Sequence, residues 1–187
     1  DSLSTASRNS LLGVFAPYPT SSRYFGPIFQ LTRSFDFASA DFFSDSSGTL
    51  YAIINNAKTA LTAWLLVGSS TASVAVWYDQ SGAGHNATQK TISLQPKYST
   101  FTGYVDFKPN YYLRVSSGIF PSGNGKYSYV IQHGSIGTSG TIFSVGSLSL
   151  NRMLASKRSG GTYVDSWYQA DTPGFGTYAQ SNILSVS

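Results

Sequence analysis

The apolar residues of this chain come in short runs, and turn-forming residues separate the runs. The chain has 187 residues, of which 18 are glycine and 7 are proline. Runs of about four to eight β-branched and aromatic residues between such breakers are typical of strands in an all-β domain. We predict strands at residues 28–33, 73–78, 104–107, 111–115, 127–132, 141–145, 163–168 and 182–186.

One segment has a different period. Between about residues 49 and 67, apolar side chains recur three and four positions apart, which predicts one short helix near residues 50–67. A single helix among many short strands favours a sandwich of two sheets with the helix packed outside. No internal repeat or linker interrupts the pattern, so we expect residues 1–187 to form a single β-sandwich domain.

The predicted strand at residues 182–186 lies at the end of the sequence. A strand at a sheet edge is a liability unless something pairs with it. Two interpretations stay open. The chain is a fragment that lacks its last strands, which we favour, or another subunit completes the sheet by strand addition.

The composition narrows the classes of function. The chain has no cysteine, and its eight acidic residues are all aspartate, which excludes disulfides, thiolate metal sites and mechanisms that need glutamate. Its 12 lysines and arginines are spread along the sequence, whereas nucleic-acid-binding surfaces concentrate positive charge, so we expect no nucleic-acid partner. The longest apolar stretch, residues 60–67, is far shorter than the ~20 residues that a bilayer requires, so we expect no membrane insertion.

The most informative local pattern covers residues 76–89, where an apolar strand ends in a glycine-containing loop. The carboxylate of Asp79 can accept N–H donors from the residues that follow it, and Gly82 and Gly84 can adopt positive φ. Successive strand residues point to opposite faces, so only one of Trp77 and Tyr78 can enter the core. The predicted structural loop consists of Trp77, Tyr78, Asp79, Gln80, Ser81, Gly82, Gly84 and Asn86.

The string Trp-Tyr-Asp-Gln-Ser-Gly-Ala-Gly-His-Asn-Ala-Thr-Gln at residues 77–89 resembles one shared by two groups. These are the catalytic domain of arabinofuranosidase B enzymes and many concanavalin A-like (laminin-G-like) domains. Residues 22–34 and 105–113 resemble segments of the same families, and the likeness covers roughly residues 17–150. The resemblance implies a jelly-roll sandwich of two antiparallel sheets. It does not by itself imply an enzyme, because one fold hosts many functions.

The chain departs from the enzyme family at the residues that carry catalysis. Arabinofuranosidase B enzymes use a glutamate nucleophile with an aspartate acid/base, and two adjacent cysteines lie in their sugar site. This chain has neither glutamate nor cysteine, and none of its aspartates matches the family's catalytic positions. We therefore predict no catalytic residues and no enzymatic activity. A glycoside hydrolase related to the α-L-arabinofuranosidases is the alternative.

A candidate carbohydrate site follows from alternating positions near residue 165. Two rings, a carboxylate and an amide would share one face of an extended strand, where rings can stack on a sugar and the polar groups can bind its hydroxyls. The alternative is that the rings pack in the core. The candidate residues are Tyr163, Asp165, Trp167 and Gln169.

Further candidate sites involve oxygen-bearing side chains. Asn86 begins an Asn-Ala-Thr sequon for N-glycosylation. Asp79 and Asn86 could ligate Ca²⁺, and so could Asp41 and Asp45, but carboxylates in such loops more often hold turns. We therefore predict no metal site and no cofactor, with Ca²⁺ as the alternative.

Low charge, abundant hydroxyl side chains and the absence of cysteine favour a non-catalytic module of an extracellular, cell-surface or virion-surface protein. A first residue other than Met suits a processed secreted product. Two uses stay open. The module binds carbohydrate, or it is a repeated structural subunit of a surface assembly, which we favour slightly. The expected partners are glycans and neighbouring copies of the chain.

Overall fold

A computed structural model of the chain describes residues 13–108 and 110–115, together with further strands between residues 129 and 186. The chain divides into two compact units, Asp1–Phe120 and Pro121–Ser187. Within the described residues, no helix has the length and apolar character needed to cross a membrane.

The described strands of the first unit form one antiparallel sheet. The strand at residues 29–33, called β1, lies near the middle of this sheet. It pairs with β2 (residues 39–44) on one side and with β5 (residues 72–77) on the other. The order along the sheet is β4-β3-β2-β1-β5-β6-β9, with β7 also pairing with β5 and β8 pairing with β7. The strands are β1 (Phe29–Arg33), β2 (Ser39–Ser44), β3 (Leu50–Ile54), β4 (Ala57–Ala60), β5 (Ala72–Trp77), β6 (Ala87–Thr88), β7 (Lys97–Tyr98), β8 (Val105–Asp106) and β9 (Arg114–Val115).

The two faces of this sheet differ because successive residues of a strand point to opposite sides. Phe29 and Leu31 of β1 are fully buried, as are Phe42 of β2 and Val74 of β5. Gln30 of β1 occupies the alternate position, where it pairs in register with residues of β2 and β5. Burying each large apolar side chain stabilises the fold by about 1.5–3 kcal/mol, so the apolar face supplies the core of this unit.

A short helix, α1 (Leu61–Leu65), packs against the apolar face. Its buried residues are Leu61, Trp64 and Leu65, the one-sided spacing of an amphipathic helix. The Trp64 ring lies 5.1 Å from the ring of Phe42. The helix has no side-chain N-cap, so its stability comes from this packing rather than from its own sequence.

Arg33, at the end of β1, connects the sheet to this helix. Its guanidinium carbon lies 4.9 Å from the centre of the Trp64 ring, and its Nη1 donates a hydrogen bond to the Trp64 carbonyl at 3.0 Å. The same side chain forms an ion pair with Asp36, with an Nε–Oδ1 distance of 2.7 Å.

The helix predicted near residues 50–67 is correct only at its end, and the prediction is wrong for residues 50–60. Those residues form the hairpin of β3 and β4, and a two-residue turn joins the strands. The turn residues Asn55 and Asn56 have φ of 50° and 63°, as a type I′ turn requires. Burial alternates along β3, with Leu50 and Ala52 inside, and this period of two overrides the helical spacing of the sequence.

The all-β class is confirmed, although several strands were not predicted. Strands β1, β5, β8 and β9 overlap predicted segments, whereas β2, β3, β4, β6 and β7 do not. Strand β3 is apolar but was assigned to the helix, and the other missed strands are short or rich in alanine and polar residues, so their sequences carry little hydrophobic alternation.

The described strands of the second unit form two smaller antiparallel sheets. The predicted terminal strand, at residues 182–186, pairs with the strand at residues 129–133 of the same chain. The other four strands form a second sheet, in which they follow one another in the order of the sequence. The stacking of two sheets as a jelly-roll sandwich, the single domain and the fragment interpretation stay predictions. The strands are β10 (Tyr129–His133), β11 (Gly140–Val145), β12 (Met153–Arg158), β13 (Gly161–Ser166), β14 (Asp171–Pro173) and β15 (Asn182–Val186).

The β3–β4 turn leads to a test of the hairpin. We expect Asn56→Gly to raise the free energy of unfolding by about 0.5 kcal/mol, because glycine adopts positive φ without strain. In the same urea titrations, Ala63→Gly in α1 should lower it by about 1 kcal/mol, the cost of glycine inside a helix. A loss of similar size in both variants would indicate that residues 50–60 are helical.

Candidate functional site

The loop after β5 is organised by one buried carboxylate. Asp79 is only 6% exposed. Its Oδ1 accepts hydrogen bonds from the backbone N–H groups of Val14 at 2.8 Å and Ser81 at 2.9 Å. Its Oδ2 accepts bonds from the Ser81 hydroxyl at 2.8 Å and the His85 N–H at 3.0 Å. The carboxylate therefore closes its own loop and also holds the segment that precedes β1.

Gln80 and Trp77 hold the same preceding segment. The Gln80 Nε2 group donates to the carbonyls of Ala16 and Tyr18, both at 3.0 Å. Its Oε1 accepts the Thr20 N–H at 2.8 Å. The Trp77 indole N–H donates to the Ala16 carbonyl at 3.1 Å. The conspicuous sequence motif is thus a clamp on residues 14–20, and its side chains are occupied in holding the fold.

The clamp explains the pKa of Asp79. Burial alone would raise the pKa of this carboxyl, but the four hydrogen bonds stabilise its charged form. The net effect is a pKa below the usual value. Because donors already engage both carboxylate oxygens, Ca²⁺ binding at Asp79 would require breaking these bonds. The described residues contain no group of three His or Asp side chains that could hold a metal ion.

The other predicted features of the loop are present in the structure. Gly82 and Gly84 have φ of 90° and 79°, as predicted. Asn86 is half-buried, and its Oδ1 accepts the Asp79 N–H at 3.0 Å. N-glycosylation of Asn86 stays a prediction.

Trp77 and Tyr78 lie on opposite sides of the sheet, as predicted. The Trp77 ring lies 5.3 Å from the Phe29 ring on the apolar side. The Tyr78 hydroxyl donates to the Asp41 carboxylate at 2.8 Å. Burial and this hydrogen bond raise the pKa of Tyr78. Asp41 therefore belongs to the polar side of the sheet.

Asp45 holds a turn, as the favoured interpretation proposed. Its Oδ1 accepts the N–H groups of Ser47 and Thr49, both at 3.0 Å. Hydrogen bonds from Ser47 and Thr49 lower the pKa of Asp45 to about 2. Its Oδ2 also accepts a hydrogen bond from Lys58 Nζ at 3.3 Å.

A polar row crosses the face of the sheet opposite the core. In register, Asp41 of β2 pairs with Gln30 of β1, and Gln30 pairs with Val76 of β5. Val76 pairs with Thr88 of β6, which pairs with Arg114 of β9. Gln30 Nε2 donates to Asp41 Oδ1 at 3.1 Å. Four of these five adjacent strands therefore present a polar or charged side chain in one line.

A cavity of about 370 Å³ lies on this polar face, within the range of about 300–1,000 Å³ usual for ligand pockets. We call it the sheet-face cavity. Its walls combine three glutamines, three hydroxyl side chains and one lysine with an apolar part that includes a phenylalanine. The lining residues are Gln30, Thr32, Phe37, Ser39, Ala75, Val76, Thr88, Gln89, Lys90, Ile92 and Gln95.

One polar atom in this cavity wall is unsatisfied. Gln95 is 2% exposed, and its Nε2 group donates to the Gln89 carbonyl at 2.9 Å. Its Oε1 is buried and accepts no hydrogen bond from the residues that the structure describes. A buried carbonyl oxygen without a donor costs about 1–3 kcal/mol. Gln95 therefore has a buried carbonyl oxygen without a donor among the described residues, although the residue itself belongs to the cavity wall.

The residues of the predicted carbohydrate site belong to the second unit, whereas the lining residues of the sheet-face cavity belong to the first. Tyr163 and Asp165 lie in β13 at alternate positions, where they pair in register with Pro173 and Asp171 of β14. Trp167 and Gln169 lie outside the described residues. The carbohydrate site at these positions stays a prediction.

Sequence analysis missed the sheet-face cavity. Phe29 and Leu31 alternate with Gln30 and Thr32 in β1, and this alternation is the signal for a second, polar face. Nothing local to Gln95 indicates that its carbonyl oxygen would lack a donor, because that depends on the path of the whole 89–96 segment.

A comparison with protein-family models, curated proteins and solved structures finds no match to this chain. The likeness to concanavalin A-like domains therefore stays a prediction that depends on residues 77–89, with weaker support from residues 22–34 and 105–113.

The clamp predicts a specific response to acid. We expect Asp79→Asn to lower the free energy of unfolding at pH 7 by about 2–4 kcal/mol, since an amide cannot replace a charged acceptor of four hydrogen bonds. The folded pKa lies below the unfolded value of about 3.9, so the contribution is complete above that value and is lost as pH falls through the folded pKa. Denaturant titrations from pH 7 to 2 measure this.

The difference in the free energy of unfolding between wild type and Asp79→Asn should thus shrink below about pH 4. Asp106→Asn is the matched control because Asp106 is exposed and pairs only loosely with Lys108, at 3.9 Å. A difference for Asp79→Asn that stays constant down to pH 2 would show that the carboxylate charge does not hold the clamp.

Proposed function

We propose that this chain is a non-catalytic module of an extracellular or particle surface that binds carbohydrate in the sheet-face cavity. The mixed lining of this cavity carries the proposal, because three glutamines and three hydroxyl side chains combine there with an apolar part. A sugar hydroxyl can donate to one such group and at the same time accept from another, because each hydroxyl has both capacities. Water can pair with the same groups, so the test must separate the two.

The rest of the cavity wall supports a ligand rich in hydroxyl groups. Amide side chains supply both donors and acceptors, and the hydroxyls of Thr32, Ser39 and Thr88 can do either. Among the lining residues described, Lys90 is the one charged side chain. Sites with a few placed polar groups on an otherwise apolar wall fit an uncharged polar ligand better than a strongly charged one.

The lining also supports a non-catalytic role. Glycoside hydrolysis requires two carboxyl groups, about 5–5.5 Å apart for retention or about 6.5–9.5 Å for inversion. None of the lining residues described is an aspartate. Asp41 is near the cavity through Gln30, but it already accepts hydrogen bonds from Gln30 and Tyr78.

A glycan array followed by NMR saturation transfer tests this function. We expect the purified chain to bind pyranosides, and Gln95→Leu to weaken binding about tenfold or more, because it replaces an amide of the cavity wall with an apolar side chain. The free energy of unfolding should change by no more than about 1 kcal/mol, since the variant loses one hydrogen bond but also removes an unsatisfied carbonyl. Thr88→Val should weaken binding less, and Thr59→Ala on β4, which does not line the cavity, should have no effect.

The size of the particle in solution completes this experiment. A monomer that binds glycans supports the proposal. Large self-assembled particles that bind no glycan would contradict it and would favour the structural subunit. Unchanged binding in Gln95→Leu would show that the glycan binds elsewhere or that Gln95 Oε1 contacts only water.

One observation favours a hydrolase as a second candidate. Asp165 of β13 and Asp171 of β14 are directly opposed in register. Opposed residues of antiparallel strands have Cβ atoms about 4.5–5.5 Å apart, similar to the carboxyl separation in retaining glycosidases.

The proposed non-catalytic role predicts that the chain releases no 4-nitrophenol from 4-nitrophenyl α-L-arabinofuranoside or from the matching pyranosides. Absorbance at neutral and mildly acidic pH measures this. Asp165→Asn and Asp171→Asn are the controls for any trace of turnover. If wild type hydrolyses one of these substrates and each variant abolishes that activity, the hydrolase would replace the binding module as the proposed function.

A further inference from the structure

The backbone of Phe37, in the turn between β1 and β2, adopts a conformation that bulky residues rarely take. Its φ is 58°, in the left-handed region. The other described non-glycine residues with positive φ are Asn55, Asn56 and Asn110, and asparagine is the residue that best tolerates this region. Phe37 is therefore at a position where its own side chain is unfavourable for the fold.

The turn that carries Phe37 is held from both sides. The guanidinium of Arg33 forms two hydrogen bonds with the carboxylate of Asp36, both at 2.7 Å. Asp36 Oδ1 also accepts the Ala38 N–H at 3.2 Å, and the Arg33 N–H donates to the Ala38 carbonyl at 2.9 Å. These bonds fix the residues before and after Phe37, so the strained φ is maintained by its neighbours.

The ring of Phe37 is not used to build the core. The side chain is 61% exposed, yet the residue lines the sheet-face cavity. Among the described residues its ring makes no ring–ring contact, unlike Phe29, which packs against Trp77 and Tyr98. An exposed ring on a strained, well-held backbone at the cavity is an arrangement that adds nothing to the packed core.

Resting on the proposed function, we infer that Phe37 is the stacking platform of the sheet-face cavity. The ligand is a cyclic sugar that lays an apolar C–H face on this ring while its hydroxyls bind the polar side chains of the cavity wall. The ring presents a flat apolar surface, whereas Gln30, Thr32 and Gln95 present polar groups in the same cavity. A pyranose has both kinds of surface. An open-chain alditol has the hydroxyls but no fixed apolar face.

The inference makes opposite predictions for stability and for binding. Phe37→Gly removes both the backbone strain and the ring. We expect its unfolding midpoint in urea to equal or exceed that of wild type, while its affinity for methyl pyranosides falls roughly three- to tenfold. Phe37→Asn, which also tolerates positive φ, should behave in the same way. Phe37→Tyr keeps the ring and should retain affinity.

Matched controls separate stacking from other effects. Phe101→Ala removes a ring that is 97% exposed and does not line the cavity, so it should leave binding unchanged. The probes are methyl glucoside, methyl galactoside and methyl mannoside, each compared with sorbitol, which has hydroxyls but no ring. Affinities from NMR titration of the full chain should fall in Phe37→Gly for the pyranosides and stay the same for sorbitol.

The outcomes distinguish this inference from the proposed function. If wild type binds no pyranoside, both are overturned. If pyranoside binding depends on Gln95 but is unchanged in Phe37→Gly, the carbohydrate function stands and the platform is overturned. An equal loss for pyranosides and sorbitol also overturns the platform, since it would show that Phe37 only shapes the cavity.

Discussion

Strand β1 has two chemically opposite faces, and the described part of the first unit depends on this alternation. Phe29 and Leu31 are fully buried in the core, against which α1 packs. Gln30 and Thr32 lie on the other face, where they line the cavity. Because β1 pairs with β2 on one side and β5 on the other, the alternation propagates across the sheet. A shift of the strand register by one residue would turn the core residues toward the cavity and the cavity residues toward the core. The same alternation therefore specifies both the core and the proposed binding surface.

The loop of the conspicuous motif and the candidate site are different parts of the unit, although Val76, Thr88 and Gln89 at the ends of the motif line the cavity. Asp79 and Gln80 use their side chains to hold residues 14–20, so a string of polar and glycine residues in a sequence does not by itself indicate a ligand site. The site that we propose lies on the polar face of the sheet. Its residues are scattered along the sequence, so no short motif indicates it. Its lining residues come from several strands and from the 89–96 segment, so the site is recognisable only in the folded chain.

Sequence reasoning predicted the strand class, the positive φ of Gly82 and Gly84, and the opposite orientations of Trp77 and Tyr78, because each follows from local rules. It failed at residues 50–60, where helical spacing of apolar residues competed with the turn formed by Asn55 and Asn56. The asparagine pair was the better signal, since two residues with positive φ favour a hairpin. The cavity could not be predicted because its walls come from β1, β2, β5, β6 and the 89–96 segment, which only tertiary folding brings together.

The ion pair of Arg33 with Asp36 has a consequence beyond the turn itself. The same guanidinium lies over the Trp64 ring and donates a hydrogen bond to the Trp64 carbonyl. Arg33 therefore links the turn between β1 and β2, which borders the cavity, to helix α1 on the apolar face. A displacement of this turn would therefore also disturb the contacts of Arg33 with α1 on the other side of the sheet.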